Sequence, residues 1–319
     1  MATILDKRII NLASQHGDKL NDSKNSNIGF YFQNLLKAEK DIAYVEVGVV
    51  SAEIPVSFYI INEYNKYFTF QYELVAGGGL QTASPTLFEG NYTATTFITE
   101  IKRAINTIIN SLEVYLTIQL DRTTGLLTWT MPTNSVVLQF VFSANIPLYQ
   151  PLYELIGFDE NQVVLPQDDA FTNVYPINLL GINKINIGSN NLATYNYNSG
   201  SSGFSNILAS IEVNASPYGI VLYRNQSLTY NILRVPNLDS FTIELRDPDG
   251  NFIDFNNQEW TITLGMNIYR YMPQFSQTSF NDILGVKPPQ PPKEDKKEEP
   301  PKPPKPMNDL DILTYNEKI

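Results

Sequence analysis

A single histidine, His16, and the absence of cysteine set the range of chemistry open to this 319-residue chain. A Ser-His-Asp triad has only His16 as its base, in the polar stretch Ser14-Gln15-His16-Gly17-Asp18, and no GxSxG elbow presents a serine to it. A lone histidine in a polar loop reads as surface. Multi-histidine or thiolate metal centres and disulfides have no residues to form them. One stretch has the spacing of a calcium loop: Asp247-Pro248-Asp249-Gly250-Asn251, with Asp254, places oxygen-bearing side chains at alternate positions around a glycine. The twelfth position from Asp247 is Gln258, where such a loop needs a bidentate glutamate, and Pro-Asp-Gly between two strands is itself a turn signal. The hairpin turn is therefore the expected reading. Paired carboxylates for glycoside hydrolysis need two acids that nothing singles out, and tryptophan is limited to Trp129 and Trp260. The residues thus predict no catalytic set, no metal, no cofactor and no enzymatic activity.

The elements that would position these residues are mostly strands. Residues 1–40 read as an N-terminal arm with first strands, including the alternating Ile28-Gly29-Phe30-Tyr31-Phe32. From 41 to 272 the pattern predicts a β body, with strands at 42–50, 67–75, 114–120, 126–131, 137–143 and 153–158. Extended chain is expected over 52–62, past Pro55. Further strands follow at 182–187, 207–213, 219–223, 228–234, 241–246, 252–255 and 260–269. One helix interrupts them: Phe97, Ile101, Ala104, Ile105, Ile108 and Leu112 recur at steps of three and four within about 95–112, and Thr93 or Thr95 is placed to cap its start. A sub-domain break is placed near 160–180, where Asp168, Asp169, Pro166 and Pro176 interrupt the apolar pattern. Short strands separated by Gly, Asn and Pro predict an all-β sandwich or barrel and disfavour a parallel α/β fold.

Composition narrows the partners. Only 17% of residues are charged, against roughly 25% in an ordinary soluble domain, while aromatics reach 12% with 19 Tyr and 17 Phe. Such a chain is expected to face other protein over much of its surface. The net charge of −11, without a basic patch, argues against a nucleic-acid grip. The opening Met1-Ala2-Thr3-Ile4-Leu5-Asp6 has no charged stretch followed by an apolar one, so no secretory signal is expected, and synthesis in the cytoplasm is. No apolar run reaches the ~20 residues of a transmembrane helix. Asn91-Tyr92-Thr93, Asn214-Ala215-Ser216 and Asn225-Gln226-Ser227 match the glycosylation pattern, as chance allows in an Asn-rich chain.

The chain beyond 272 changes character. Residues 273–306 read as linker and spacer, and nine of the twenty residues 287–306 are proline, interleaved with Lys and Glu. That composition cannot build a core and favours a polyproline II rod of roughly 60 Å at about 3.1 Å per residue. Residues 307–319 turn apolar again, with Leu310, Ile312, Leu313, Tyr315 and Ile319 as candidate docking residues. A ligand for aromatic grooves, a spacer carrying a docking peptide, and a tail without a partner remain the three readings, with the spacer favoured because docking residues follow it.

Several phrases together resemble a known family. Ala52-Glu53-Ile54-Pro55-Val56-Ser57-Phe58-Tyr59-Ile60-Ile61-Asn62, Glu89-Gly90-Asn91-Tyr92-Thr93-Ala94, Leu155-Ile156-Gly157-Phe158, and the two stretches 241–247 and 253–264 are similar to minor capsid or penton proteins of virophages, Polinton-like viruses and large DNA viruses. The resemblance implies a jelly-roll β-sandwich with an inserted helix and a structural role in an icosahedral virion. It further implies homo-pentamers at five-fold vertices, with the major capsid protein and other minor capsid proteins as partners. It carries over no catalytic residue, and the Pro-rich arm is a departure from it. The rival expectation is a receptor- or carbohydrate-binding β module at a virion or cell surface.

Overall fold

The computed structural model describes residues 2–20, 24–37, 39–73, 78–109, 117–130, 137–140, 152–159, 170–192, 196–197, 204–226, 230–233 and 237–271. The chain divides into two units, Met1–Met272 and Pro273–Ile319. The spacer 287–306, the docking residues Leu310, Ile312, Leu313, Tyr315 and Ile319, and Pro166, Asp168 and Asp169 of the expected break lie outside the described residues.

Two antiparallel sheets face each other in the first unit. One runs β1 (Ala2–Ala13), β18 (Thr261–Tyr271), β4 (Ile42–Pro55), β15 (Ile220–Arg224), with β16 (Asn231–Leu233) also on β4. The other runs β14 (Ile207–Glu212), β11 (Lys184–Gly188), β17 (Leu238–Arg246), β3 (Asn27–Leu36), β2 (Asp18–Lys19). The first and last strands lie side by side, and the chain crosses between sheets after β1, β3, β4, β14, β16 and β17. That order is the jelly-roll sandwich, two Greek keys closed on each other. Ala2–Ala13 and Asn27–Leu36, within the expected arm 1–40, are integral to the two sheets; β1 pairs β18 from Ala2↔Tyr271 to Ala13↔Thr261.

The inner faces follow the period of two. Ile10 and Leu12, then Ile262, Leu264, Met266 and Ile268, then Val45, Val47, Val49 and Ile54 point inward from the first sheet. They meet Ile28, Phe30, Phe241, Ile243, Leu245, Ile185 and Ile187 from the second. Trp260 is buried in this core with its ring edge-on to Phe30, and its indole N–H donates to the Asn25 carbonyl at 2.6 Å.

Between β4 and β11 the chain builds a second core. Helix α1 (Ala94–Ile109) buries Phe97, Ile101, Ala104 and Ile105. Around it stand the sheets β6 (Gln81–Ala83), β5 (Phe70–Glu73), β9 (Val137–Phe140) and β10 (Ala170–Thr172), β8 (Leu127–Thr130), β7 (Thr117–Leu120). Trp129 and Phe158 pack at 5.2 Å within this core, and the hairpin β12 (Asn196–Tyr197), β13 (Phe204–Ser205) lies outside both sandwich sheets.

Two expected strands are not strands. Residues 153–158 hold helix α2 (Leu152–Ile156), whose buried Leu152, Leu155 and Ile156 sit at helical spacing; a run this short does not show its period in sequence. Gly157 stops the helix with φ +86°, a conformation natural to glycine. In 252–255 only Phe252 pairs, bridging Arg246; the Asp254 carboxylate then accepts the Asn256 N–H at 2.9 Å and turns the chain through Asn256 and Asn257 at φ 48° and 60°.

Candidate functional site

The residues with chemical potential are occupied by structure. His16 is exposed beside Gln15. Ser14 is buried, its hydroxyl bonded to the Glu259 carboxylate and accepting the Trp260 N–H at 3.0 Å. Asp247 closes the expected hairpin turn: its carboxylate accepts the Asn251 backbone N–H at 2.8 Å and the Asn251 amide at 3.1 Å, while Gly250 takes φ +90°. Burial pushes the Asp247 carboxyl above the ordinary carboxylate range, against the pull of those two bonds. Asp254 pairs with Lys24 at 2.7 Å, and Lys24 also reaches Glu63 at 3.0 Å. Among the described residues no three of His, Asp and Glu gather to hold a metal ion.

A cleft of about 210 Å³ opens where the Asp247 turn meets the second core, lined by Tyr64, Asn65, Glu154, Asn178 and Asp249 among others. Its amides are engaged in shaping its own walls. Asn62 Oδ1 accepts the Tyr64 N–H at 2.9 Å, Asn65 accepts the Asn62 N–H at 2.8 Å and donates to Ile60 O at 2.8 Å, and Asn178 Oδ1 accepts the Leu180 N–H at 3.2 Å. Amides tied to their own loops in this way have fewer groups left to exchange hydrogen bonds with a sugar.

The phrases that carry the family resemblance are likewise structural devices. Asn91 Oδ1 accepts the Ile60 N–H at 3.0 Å, and Thr93 and Thr96 cap α1 reciprocally, each hydroxyl accepting the other's backbone N–H, at 3.3 and 2.9 Å. Gly157 stops α2, and the Asn256-Asn257 turn delivers Trp260 to the core.

What remains is a surface. The outer face of β1, β18, β4 and β15 shows Ile9 at 73% exposure, Leu222 at 66%, Ile220 at 59% and Val50 at 36%. Tyr44 stacks on Tyr269 at 4.2 Å, and the Glu46 carboxylate accepts the Tyr269 hydroxyl at 2.9 Å, which holds that phenol up at about 12. Register places Ile9 beside Gly265 and Gly265 beside Gly48, and the Val50 and Tyr230 side chains lie over Gly265 on this face. The opposite sheet carries polar networks on its outer side, Glu244 accepting from Arg246 at 3.0 Å and Asn190 at 3.2 Å and Asn186 accepting from Ser210 at 2.5 Å, with Tyr31 of β3 also exposed. Apolar side chains are therefore exposed more densely on the first sheet face than on the second. Sequence reasoning missed these residues. Their signal is apolar neighbours of both parities, Ile9-Ile10, Val49-Val50 and Ile220-Val221-Leu222, where a half-exposed strand would alternate.

The sequence matches no protein-family model and no curated protein. Among solved structures the chain is similar to the mavirus penton protein, at 13% identity and a TM-score of 0.46, over 83% of this chain and 100% of that one.

Proposed function

We propose that this chain is a structural subunit of an icosahedral virion, a penton or other minor capsid protein, that assembles with copies of itself through the outer face of the β1-β18-β4-β15 sheet. The observation that carries the reading is the exposure of Ile9, Val50, Ile220 and Leu222 on one sheet face. Strands about 4.8 Å apart, three of them roughly 35–45 Å long and β15 about 17 Å, make a face on the order of 700 Å², close to the ~800 Å² per partner of a standard interface. The sandwich order and the capsid-like phrases point the same way. On this reading the copies close into a ring by heterologous contacts, five around a vertex, and sit beside the major capsid protein and other minor capsid proteins. The peptide bearing Leu310, Ile312, Leu313, Tyr315 and Ile319 ties each copy to a neighbour. No catalytic role is assigned.

Sedimentation velocity of the full chain tests it. A closed oligomer of five is expected, and Ile9→Lys with Val50→Lys should shift it to monomer while the far-UV circular dichroism stays unchanged. A wild-type chain that stays monomeric or trimeric and binds an oligosaccharide would reject the proposal in favour of a glycan-binding module.

A further inference from the structure

We infer that the outer edge of β15 receives residues 310–315 of a second copy as an added β-strand. Among the described residues β15 pairs with β4 alone, from Ile220↔Pro55 to Arg224↔Ser51 without a register shift. The next residue, Asn225, donates its N–H to Val50 O at 2.9 Å, which fixes the alternation of the ladder. Val221 and Tyr223 therefore turn their backbone groups to β4, and Ile220, Leu222 and Arg224 turn theirs away from it.

The edges at β1, β2 and β14 are defended and β16 is only three residues long, whereas β15 is undefended. Edge strands avoid unwanted pairing through charge, bulges or brevity. β1 carries Lys7, the Asp6–Arg8 ion pair and a register shift between Ile4 and Asp6. β2 is two residues long, Asp18 and Lys19, and β14 ends in Glu212 opposite Lys184. β15 has Arg224 as its only charge and presents Ile220 and Leu222 beside its outward backbone groups.

The occupant is argued from the chain beyond β18. Forty-eight residues follow Tyr271, and no proline interrupts 307–319, so every N–H there can join a ladder. Leu310, Ile312 and Thr314 share one parity, and Leu313 and Tyr315 the other, so an added strand sets Leu310 and Ile312 alongside Ile220 and Leu222. The proline-rich spacer of roughly 60 Å exceeds the ~35 Å length of a strand such as β18, a reach suited to a neighbouring copy.

The inference rests on the assembly reading for its supply of neighbours. The cysteine-free sequence gives a direct test. Full-length Leu222→Cys is co-expressed with full-length chains carrying a single cysteine at each position from 310 to 315 in turn, and the mixtures are mildly oxidised. Disulfide-linked dimers between the two variants should form with a period of two along the peptide, at least tenfold more at the favoured parity. Ile9→Cys, across the same sheet, should give no such pattern. Links without periodicity, or equal links to Ile9→Cys, overturn the proposal. A chain that self-associates but gives no link to position 222 overturns this address alone, whereas one that remains monomeric overturns the assembly reading with it.

Discussion

Gly157 and Gly250 take φ of +86° and +90°, yet the two positions differ in what surrounds them. A Cβ on Gly250 meets nothing within 4 Å, while one on Gly157 falls 2.1 Å from Tyr175 O. The close approach exists because α2 ends against the chain at 173–178, where the Tyr175 N–H donates to Gly157 O at 3.1 Å. Gly250→Ala should cost about 1–2 kcal/mol, the ordinary left-handed penalty, and Gly157→Ala that amount plus a further ~1–3 kcal/mol of overpacking. Urea titration separates them: a lower midpoint at unchanged slope is expected for both, with the larger shift for Gly157→Ala. Equal shifts would mean that the Tyr175 carbonyl yields freely. The turn at Gly250 was legible from Pro-Asp-Gly alone, whereas the demand on Gly157 comes from a carbonyl 18 residues away and leaves no local trace.

Helix α1 shows which forces act along an element. The Thr93–Thr96 cap satisfies donors at one end, and the Phe97, Ile101, Ala104, Ile105 stripe fills a core along the whole length. Removing the cap hydroxyl with Thr93→Ala should cost about 1 kcal/mol, and Ile101→Ala about 2–5 kcal/mol because it leaves a cavity. Hydrogen exchange checks the difference. Thr93→Ala should raise exchange only in the first turn, whereas Ile101→Ala should raise it throughout the helix; uniform exchange in both would remove the distinction. The stripe and its cap were readable because a 16-residue helix repeats its period several times. Five-residue α2 repeats it once, and its sequence alone reads as a strand. Most sandwich strands were readable to within a few residues, but their order was not, because β1 finds β18 across some 250 residues and local pattern says nothing of such a pairing. The exposed face escaped for a related reason. The bulge at Thr263/Leu264 shifts the alternation of β4 beside Val50, whereas Ile9, Ile220 and Leu222 sit in regular register and are outward apolar residues next to inward ones, a pattern that in sequence reads as a strand buried on both faces.

At the scale of the molecule, the described fold precedes the stretch proposed to tether one copy to the next. Among the described residues both the sandwich core and the second core are built from chain up to Tyr271, where β18, the last described strand, ends. Deleting 286–319 should therefore leave the thermal unfolding transition where it is. The same deletion should weaken association. A tether converts a second contact into an intramolecular one, and effective concentrations of that kind raise overall binding by 10²–10⁴ without any new contact in the body. An oligomer held by the sheet face alone is thus expected to dissociate at roughly 10²-fold higher concentration once the peptide is gone. Dilution followed by mass photometry reads this directly. Replacing 287–306 with a Gly/Ser linker of equal length and keeping 307–319 should restore part of the loss, since the docking peptide survives and only the stiffness of its reach is lowered. If the truncated chain dissociates at the same concentration as the full one, the peptide contributes nothing to association, and the sheet face must carry assembly by itself.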